Sequence, residues 1–142
     1  MARSRIIIAA ELKEDRLGHL RGELRHQAGK AVREVAMAIQ IAAQDAAPVD
    51  TGALKNSIYT STARSSSYDE AQEKALKSNP QAQLLPEVEP PRDDLTAIVA
   101  VGAEYGVYVE MGAEGRPAQP YLGPAAEAAR PAFEAAMRKL LG

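Results

Sequence analysis

Alanine fills 28 of the 65 hydrophobic positions in this 142-residue chain, leaving only 37 larger apolar side chains to build a core. Leu, Ile, Val and Phe together number 28, about a fifth of the residues. Chains that poor in bulky apolar groups stay disordered when their net charge is high, because burial cannot offset conformational entropy. Here the net charge is −2, so a folded domain is expected. Its core should be thin and alanine-rich, with stability supplemented by neighbouring subunits. The length suits a single domain over residues 1–142.

Several classes of function fall away quickly. With no cysteine, disulfide frameworks, thiol nucleophiles and Cys-ligated zinc are excluded. The longest apolar runs, residues 6–10, 35–39 and 97–101, have five residues each, against about 20 for a membrane span. A soluble cytoplasmic product with no membrane contact is expected. The acidic pI of about 5.7 disfavours a general nucleic-acid binder. One Phe, no Trp and dispersed tyrosines give no base-stacking platform.

Along the chain, Arg5 to Ile8 is β-branched and suits a short first strand, whereas Ala9 to Asp15 would also suit a helix. Leu17, Leu20, Leu24, Ala28, Ala31, Val35, Ala38 and Ala42 recur every three or four residues. That stripe predicts a long helix over about 15–46, stopped by Pro48. Asp50 or Thr51 is placed to cap a short helical turn reaching Lys55. Residues 57–64 read as a strand, with Ile58 and Thr60 on one face and Tyr59 and Ser61 on the other.

Residues 65–91 resemble an insertion. Ser67 and Glu70 have capping-box spacing, predicting an exposed helix from Tyr68 to Lys77 ended by Asn79-Pro80. Leu95 to Gly102 is the clearest strand and is expected to pair with 57–64. Ala103 to Met111 suits a short helix, residues 112–123 a loop, and Pro124 the first position of a C-terminal helix. Within that helix Pro131 should introduce a kink or start a second helix. Arg138 and Lys139 complement its C-terminal dipole. The fold class is therefore α+β: a long N-terminal and a C-terminal helix on a small, mostly antiparallel sheet, with an inserted helix and loop between two strands.

No motif assembles catalysis. Gly102, Gly106 and Gly112 are too widely spaced, without the Lys or Ser/Thr of a phosphate-cradling loop. Glu104 and Glu110, six apart on a short helix, point in different directions, so acid–base work by that pair is disfavoured. His19 and His26 lack partners at ligand spacing, so no metal is expected. The chain reads as a non-enzyme without cofactors.

Special residues concentrate instead in two blocks. The first is Pro48-Val49-Asp50-Thr51-Gly52-Ala53-Leu54-Lys55-Asn56-Ser57-Ile58. The second runs from Tyr105 through Tyr108, Glu110 and Gly112, then Arg116-Pro117-Ala118-Gln119-Pro120-Tyr121-Leu122-Gly123-Pro124-Ala125. In this order, between two helices, they resemble the small tail-completion or neck proteins of long-tailed bacteriophages, the minor-tail-protein-Z type of head-to-tail joining family. Gly106 stands where that family often has Ala, Ala113 where Thr is frequent and Gly123 where a basic residue is common. The resemblance implies a structural virion protein at the head–tail junction, made in the host cytoplasm and working as a ring, with a hexamer expected. Its implied partners are further copies of itself, other neck or connector proteins, and tail-tube or tail-terminator proteins. DNA would pass through the channel without sequence-specific binding. A small cytoplasmic protein-binding module or regulator is the alternative.

Tyr and Arg are the residue types that dominate interfaces. On that basis Asp50, Thr51, Gly52, Tyr105, Tyr108, Glu110, Gly112, Arg116, Gln119, Pro120 and Tyr121 form the expected assembly motif. Tyr108, Pro120 and Leu122 would equally serve to pack the loop onto the sheet. Glu110 is expected to bind either Arg116 or backbone amides of the loop. Residues 86–110 hold six acids against Arg92 alone. They read as a solvated acidic edge, or as a channel wall from which DNA is repelled.

Overall fold

The computed structural model describes residues 9–12 and 22–141. The strand expected at 5–8 and the helical turns expected at 15–21, with His19, lie outside them. Strand β1 is Ala9–Leu12 and helix α1 is Gly22–Ala46. Then come α2 (Ala53–Asn56), β2 (Ile58–Thr62), α3 (Tyr68–Ser78), β3 (Ala97–Val101), α4 (Gly106–Met111) and α5 (Leu122–Leu141). The strands form an antiparallel sheet in the order β1-β3-β2, so the α+β expectation holds. Tyr59 sits opposite Ala100 and Thr60 opposite Val99, the pairing expected across the insertion.

Alternation along β2 and β3 divides the core into two layers. Ile58, Ala97, Val99 and Val101 face α1 and α5, where they meet Val32, Ile39, Tyr121 and Leu122. Tyr59 and Ala100 face the other way and pack with Ala71 and Val88 of the 65–91 segment. That segment is thus the cover of the second sheet face. Helix α3 is not the free exposed helix of the sequence reading, because Ala71 and Ala75 are buried. Among the described residues, eleven of the 25 buried hydrophobic ones are alanine, so the core is as thin as composition implied. Small side chains let α1 approach both α5 and the sheet closely.

Two local expectations are corrected. The buried stripe of α1 is Ala28, Val32, Ala36, Ile39 and Ala43, with Gly29. Leu24 is exposed, as are Ala38 and Ala42. In so alanine-rich a helix several stripes look apolar, and burial follows the β-branched pair Val32 and Ile39, which contact the sheet. The capping box at α3 does not close either, since Ser67 makes no side-chain cap. Its hydroxyl instead accepts a hydrogen bond from the Thr60 amide at 3.1 Å, while its own amide donates to the Thr60 carbonyl. β2 is an edge strand whose open backbone groups need partners, and that demand outcompetes the cap.

Helix α5 begins at Leu122, placing Pro124 third rather than first, and continues through Pro131 as one helix. Pro131 is exposed. Water can therefore satisfy the Glu127 carbonyl that loses its amide partner.

Candidate functional site

Both sequence blocks meet at one end of the sheet. Ala47 and Leu54 are buried in the main core, which anchors the Pro48–Gly52 turn. Gly52 has φ 92° and precedes α2. The cap position of α2 is Gly52 and no side chain caps it, so neither Asp50 nor Thr51 fills the expected role, although Thr51 Oγ1 accepts the Ala53 amide at 3.2 Å from one residue upstream. Asp50 and Thr51 are otherwise exposed.

Ser57 joins this turn to the second block, a role with little sequence signal. Its hydroxyl donates to the Leu54 carbonyl at 2.8 Å and accepts the Ala103 amide at 2.9 Å. Its carbonyl accepts the Gly102 amide at 2.9 Å. The residue is 1% exposed, so every bond made there is shielded from water. A serine between a helical turn and a strand is unremarkable in sequence, and only the 46-residue separation closed by its hydroxyl reveals the role.

Gly106 is the point of closest approach. A Cβ there would lie 2.7 Å from Leu54 Cδ1, from the Tyr121 hydroxyl and from Val101 Cγ1. All three neighbours are buried, so none can move cheaply. Gly→Ala in a helix gains up to about 1 kcal/mol in propensity, whereas overpacking costs about 1–3 kcal/mol. Gly106→Ala is therefore expected to lower stability by about 1–2 kcal/mol, read by denaturant unfolding. An unchanged or raised midpoint would remove this account of the glycine.

The remaining motif residues separate into an inward and an outward set. Tyr121 is fully buried, and its hydroxyl donates to the Gly106 carbonyl at 2.9 Å. Burial, followed by the charges of Glu110 and Tyr105, pushes its phenol far above the ordinary tyrosine value. Glu110 binds backbone amides and not Arg116. Oε1 accepts from Tyr121 and Leu122, each at 2.9 Å, and Oε2 accepts from Gly123 at 3.0 Å. One carboxylate thus holds the first amides of α5, where a negative charge also faces the positive end of the helix dipole.

Gly112, at φ 84°, ends α4, and its amide donates to the Tyr108 carbonyl at 2.8 Å. A Cβ there would come within 3.0 Å of the Ala118 amide nitrogen, so both conformation and space select glycine. The chain then turns through Ala113–Arg116, whose two residues exchange backbone hydrogen bonds. It returns to α4 where the Gln119 amide donates to the Val109 carbonyl at 2.8 Å.

This scaffold presents the outward set. Tyr105, Tyr108, Val109, Arg116, Pro117 and Gln119 line a groove of about 440 Å³. Tyr105 and Tyr108 are 38% and 49% exposed, and nearby Met111 is 63% exposed. Among the described residues Arg116 has no ion-pair partner. Burial raises the Tyr105 phenol pKa, a hydrogen bond with the Leu54 backbone opposes the rise, and the Asp50 charge adds to it. Asp50 is therefore close enough to the groove to be felt electrostatically. Pro120 is exposed, while Leu122 is buried. Loop packing is thus the work of Leu122 and Tyr121.

The acidic stretch is not a single unit. Asp94 pairs with Arg64, Asp93 Oδ1 accepts the Leu95 amide at 2.8 Å, and Glu110 is committed to α5. Glu87 and Glu89 are exposed. No metal-binding group of His, Asp or Glu occurs among the described residues, and no helix among them is long and apolar enough to cross a membrane.

Residues 13–112 match the family described as "Bacteriophage HK97-gp10, putative tail-component". That span is 100 of the 142 residues and takes in α1, the whole sheet region from β2 onward, and α4. No curated protein and no solved structure matches the chain.

Proposed function

Since the chain belongs to this HK97-gp10-like family of bacteriophage tail components, we propose that it is a non-enzymatic subunit of a homo-oligomeric ring that completes the tail at the head–tail junction. The observation that carries the reading is the groove at α4. Exposed tyrosines and an arginine with no ion-pair partner among the described residues, held on a loop pinned by half-buried Glu110 and buried Tyr121, form a surface of interface-prone residues. A ring closed by head-to-tail contacts needs a second, different surface on each subunit. Met37 and Ile41, 46% and 53% exposed on the face of α1 opposite its buried stripe, with Val49 at 70%, supply an apolar one. A thin alanine-rich core fits a subunit whose remaining apolar surface is covered by its neighbours. In this reading Asp50, Gln119 and Pro120 border the contact, while Thr51, Gly52, Glu110, Gly112 and Tyr121 shape it from beneath. The partners are further copies, tail-tube or terminator proteins and connector proteins, with DNA passing through the lumen.

The test is light scattering after size exclusion, with negative-stain imaging, of the chain alone and mixed with tail-tube protein. Rings or tube-end caps are expected. Tyr108→Asp combined with Arg116→Glu should abolish them and shift stability by no more than about 0.5 kcal/mol each, as surface changes do. A discrete dimer indifferent to both the tube and these substitutions would instead favour a binding module or regulator.

A further inference from the structure

Exposed apolar surface is concentrated on two faces of the chain. Among the described residues eight large hydrophobic side chains are exposed, and six of them fall on the outer side of α1 with the turn that follows it (Met37, Ile41, Val49) or at α4 (Tyr105, Tyr108, Met111). Both faces stay exposed in the folded chain, so neither covers the other within one copy.

The outer face of α1 has a defined order. Lys30, Glu34, Ile41 and Asp45 recur at intervals of four, seven and four residues, which places them on one line of the helix, with Met37 and Ala38 beside it. All six are exposed. Met37 and Ile41 sit one turn apart, and the small Ala38 between them permits close approach. The groove has an order of its own, with Tyr105 and Tyr108 at α4 and Glu114 and Arg116 on the Ala113–Arg116 turn that follows. Among the described residues none of Lys30, Glu34, Asp45, Glu114 and Arg116 has an ion-pair partner.

We infer that the groove is filled by the outer face of α1 from the next copy in the ring, with Met37 and Ile41 against Tyr105 and Tyr108, Glu34 against Arg116, and Lys30 against Glu114. The inference rests on the ring reading and names its contact. Recognition of a helix by a groove uses apolar anchors one turn apart, and a groove of about 440 Å³ suits side chains inserted from a helix lying across it. Charge spacing fixes the direction. Glu114 and Arg116, two residues apart, are separated by at most about 7 Å of backbone, and Lys30 and Glu34 by about 6 Å along the helix. In the opposite direction Asp45 meets Arg116, but Val49 stands four residues beyond it and Glu114 faces no cation. Net charge does not drive the contact. The α1 face has one cation against two acids, and the groove side, counting Asp50 and Lys55 near Tyr105, is balanced. Position makes the match. Such a pairing leaves a free groove and a free α1 face on any open row of copies, and only closure satisfies both.

The chain has no cysteine, so introduced cysteines report single contacts. Ile41→Cys and Tyr108→Cys are made in separate full-length chains and mixed with tail-tube protein under mild oxidation. A disulfide-linked pair holding one chain of each kind is expected. Neither variant should cross-link by itself, and no link should form when Leu76→Cys, at an exposed position on α3, replaces Ile41→Cys. In the otherwise native chain Arg116→Glu should lose the assemblies and Glu34→Arg added to it should restore them, whereas Asp45→Arg should not. The native chain imaged under the same conditions separates the two possible failures. Absence of rings and tube-end caps removes the ring reading and this contact with it. Rings or caps without a link between positions 41 and 108 overturn the contact alone, as does cross-linking of Ile41→Cys to itself, the mark of a two-fold pair. Rescue by Asp45→Arg in place of Glu34→Arg overturns the direction.

Discussion

Replacing Glu110 by alanine is expected to destabilise the protein by about 2–4 kcal/mol, because three backbone amides at the start of α5 lose their only carboxylate. Charged hydrogen bonds contribute about 1.5–3 kcal/mol each, but bonds sharing one acceptor group are not additive. The favourable dipole interaction, about 0.3–1 kcal/mol, is lost as well. For a chain of this size the melting temperature should fall by roughly 8–15 °C. Glu110→Gln keeps an acceptor oxygen and should cost about half as much. A loss below about 0.5 kcal/mol for alanine would show that water replaces the carboxylate at no penalty. The effect extends beyond stability. The amides held by Glu110 end the loop that carries Arg116 and Gln119, so the groove should loosen together with the helix start.

Tyr121→Ala should cost about 3–5 kcal/mol, the range for deleting a fully buried aromatic ring. This ring packs α5 against the sheet and the α2 region, so no single element can collapse into the space. Tyr121→Phe isolates the hydroxyl. It removes one bond to the Gly106 carbonyl and should cost about 1 kcal/mol. The same phenol makes stability pH-dependent. Its folded-state pKa is raised, with burial as the first cause, so the stabilisation is fully present below the ordinary tyrosine value of about 10 and is lost as pH rises above it. Urea midpoints should therefore decline at alkaline pH in the native chain and decline less steeply in Tyr121→Phe. Tyr68 and Tyr105, also raised mainly by burial, will leave a residual slope. Identical alkaline profiles for the two proteins would refute the assignment to Tyr121.

Signals acting within a few residues were legible. Pro48 ends α1 two residues beyond Ala46, β2 and β3 fall inside the expected strands, and Asn79-Pro80 ends α3. The expected pairing of β2 with β3 also held, because two short apolar strands flanking an insertion have few other partners. Failures occurred where two structures competed for the same atoms. Ser67 had the spacing for a cap, yet its hydroxyl went to an edge strand seven residues away. The face of α1 was ambiguous because alanine fits buried and exposed positions alike.

The motif residues illustrate the division most clearly. As a sequence they formed one undifferentiated patch of tyrosine, arginine, glycine and glutamate. Tertiary structure sorted them, turning Tyr121 and Glu110 inward as fasteners and leaving Tyr105, Tyr108 and Arg116 on the groove. Sequence alone determined most of the elements from α1 onward, the thinness of the core and the family resemblance, since these depend on local backbone preferences, composition and residue order; it did not place the strand at Ala9–Leu12, where the residues also suited a helix. Which side chain met which carbonyl, and which arginine paired with Asp94, was decided only when segments 30 and more residues apart came together. Hydrogen bonds of that range leave no periodicity in a chain, and their energies exist only once water has been excluded from between the partners.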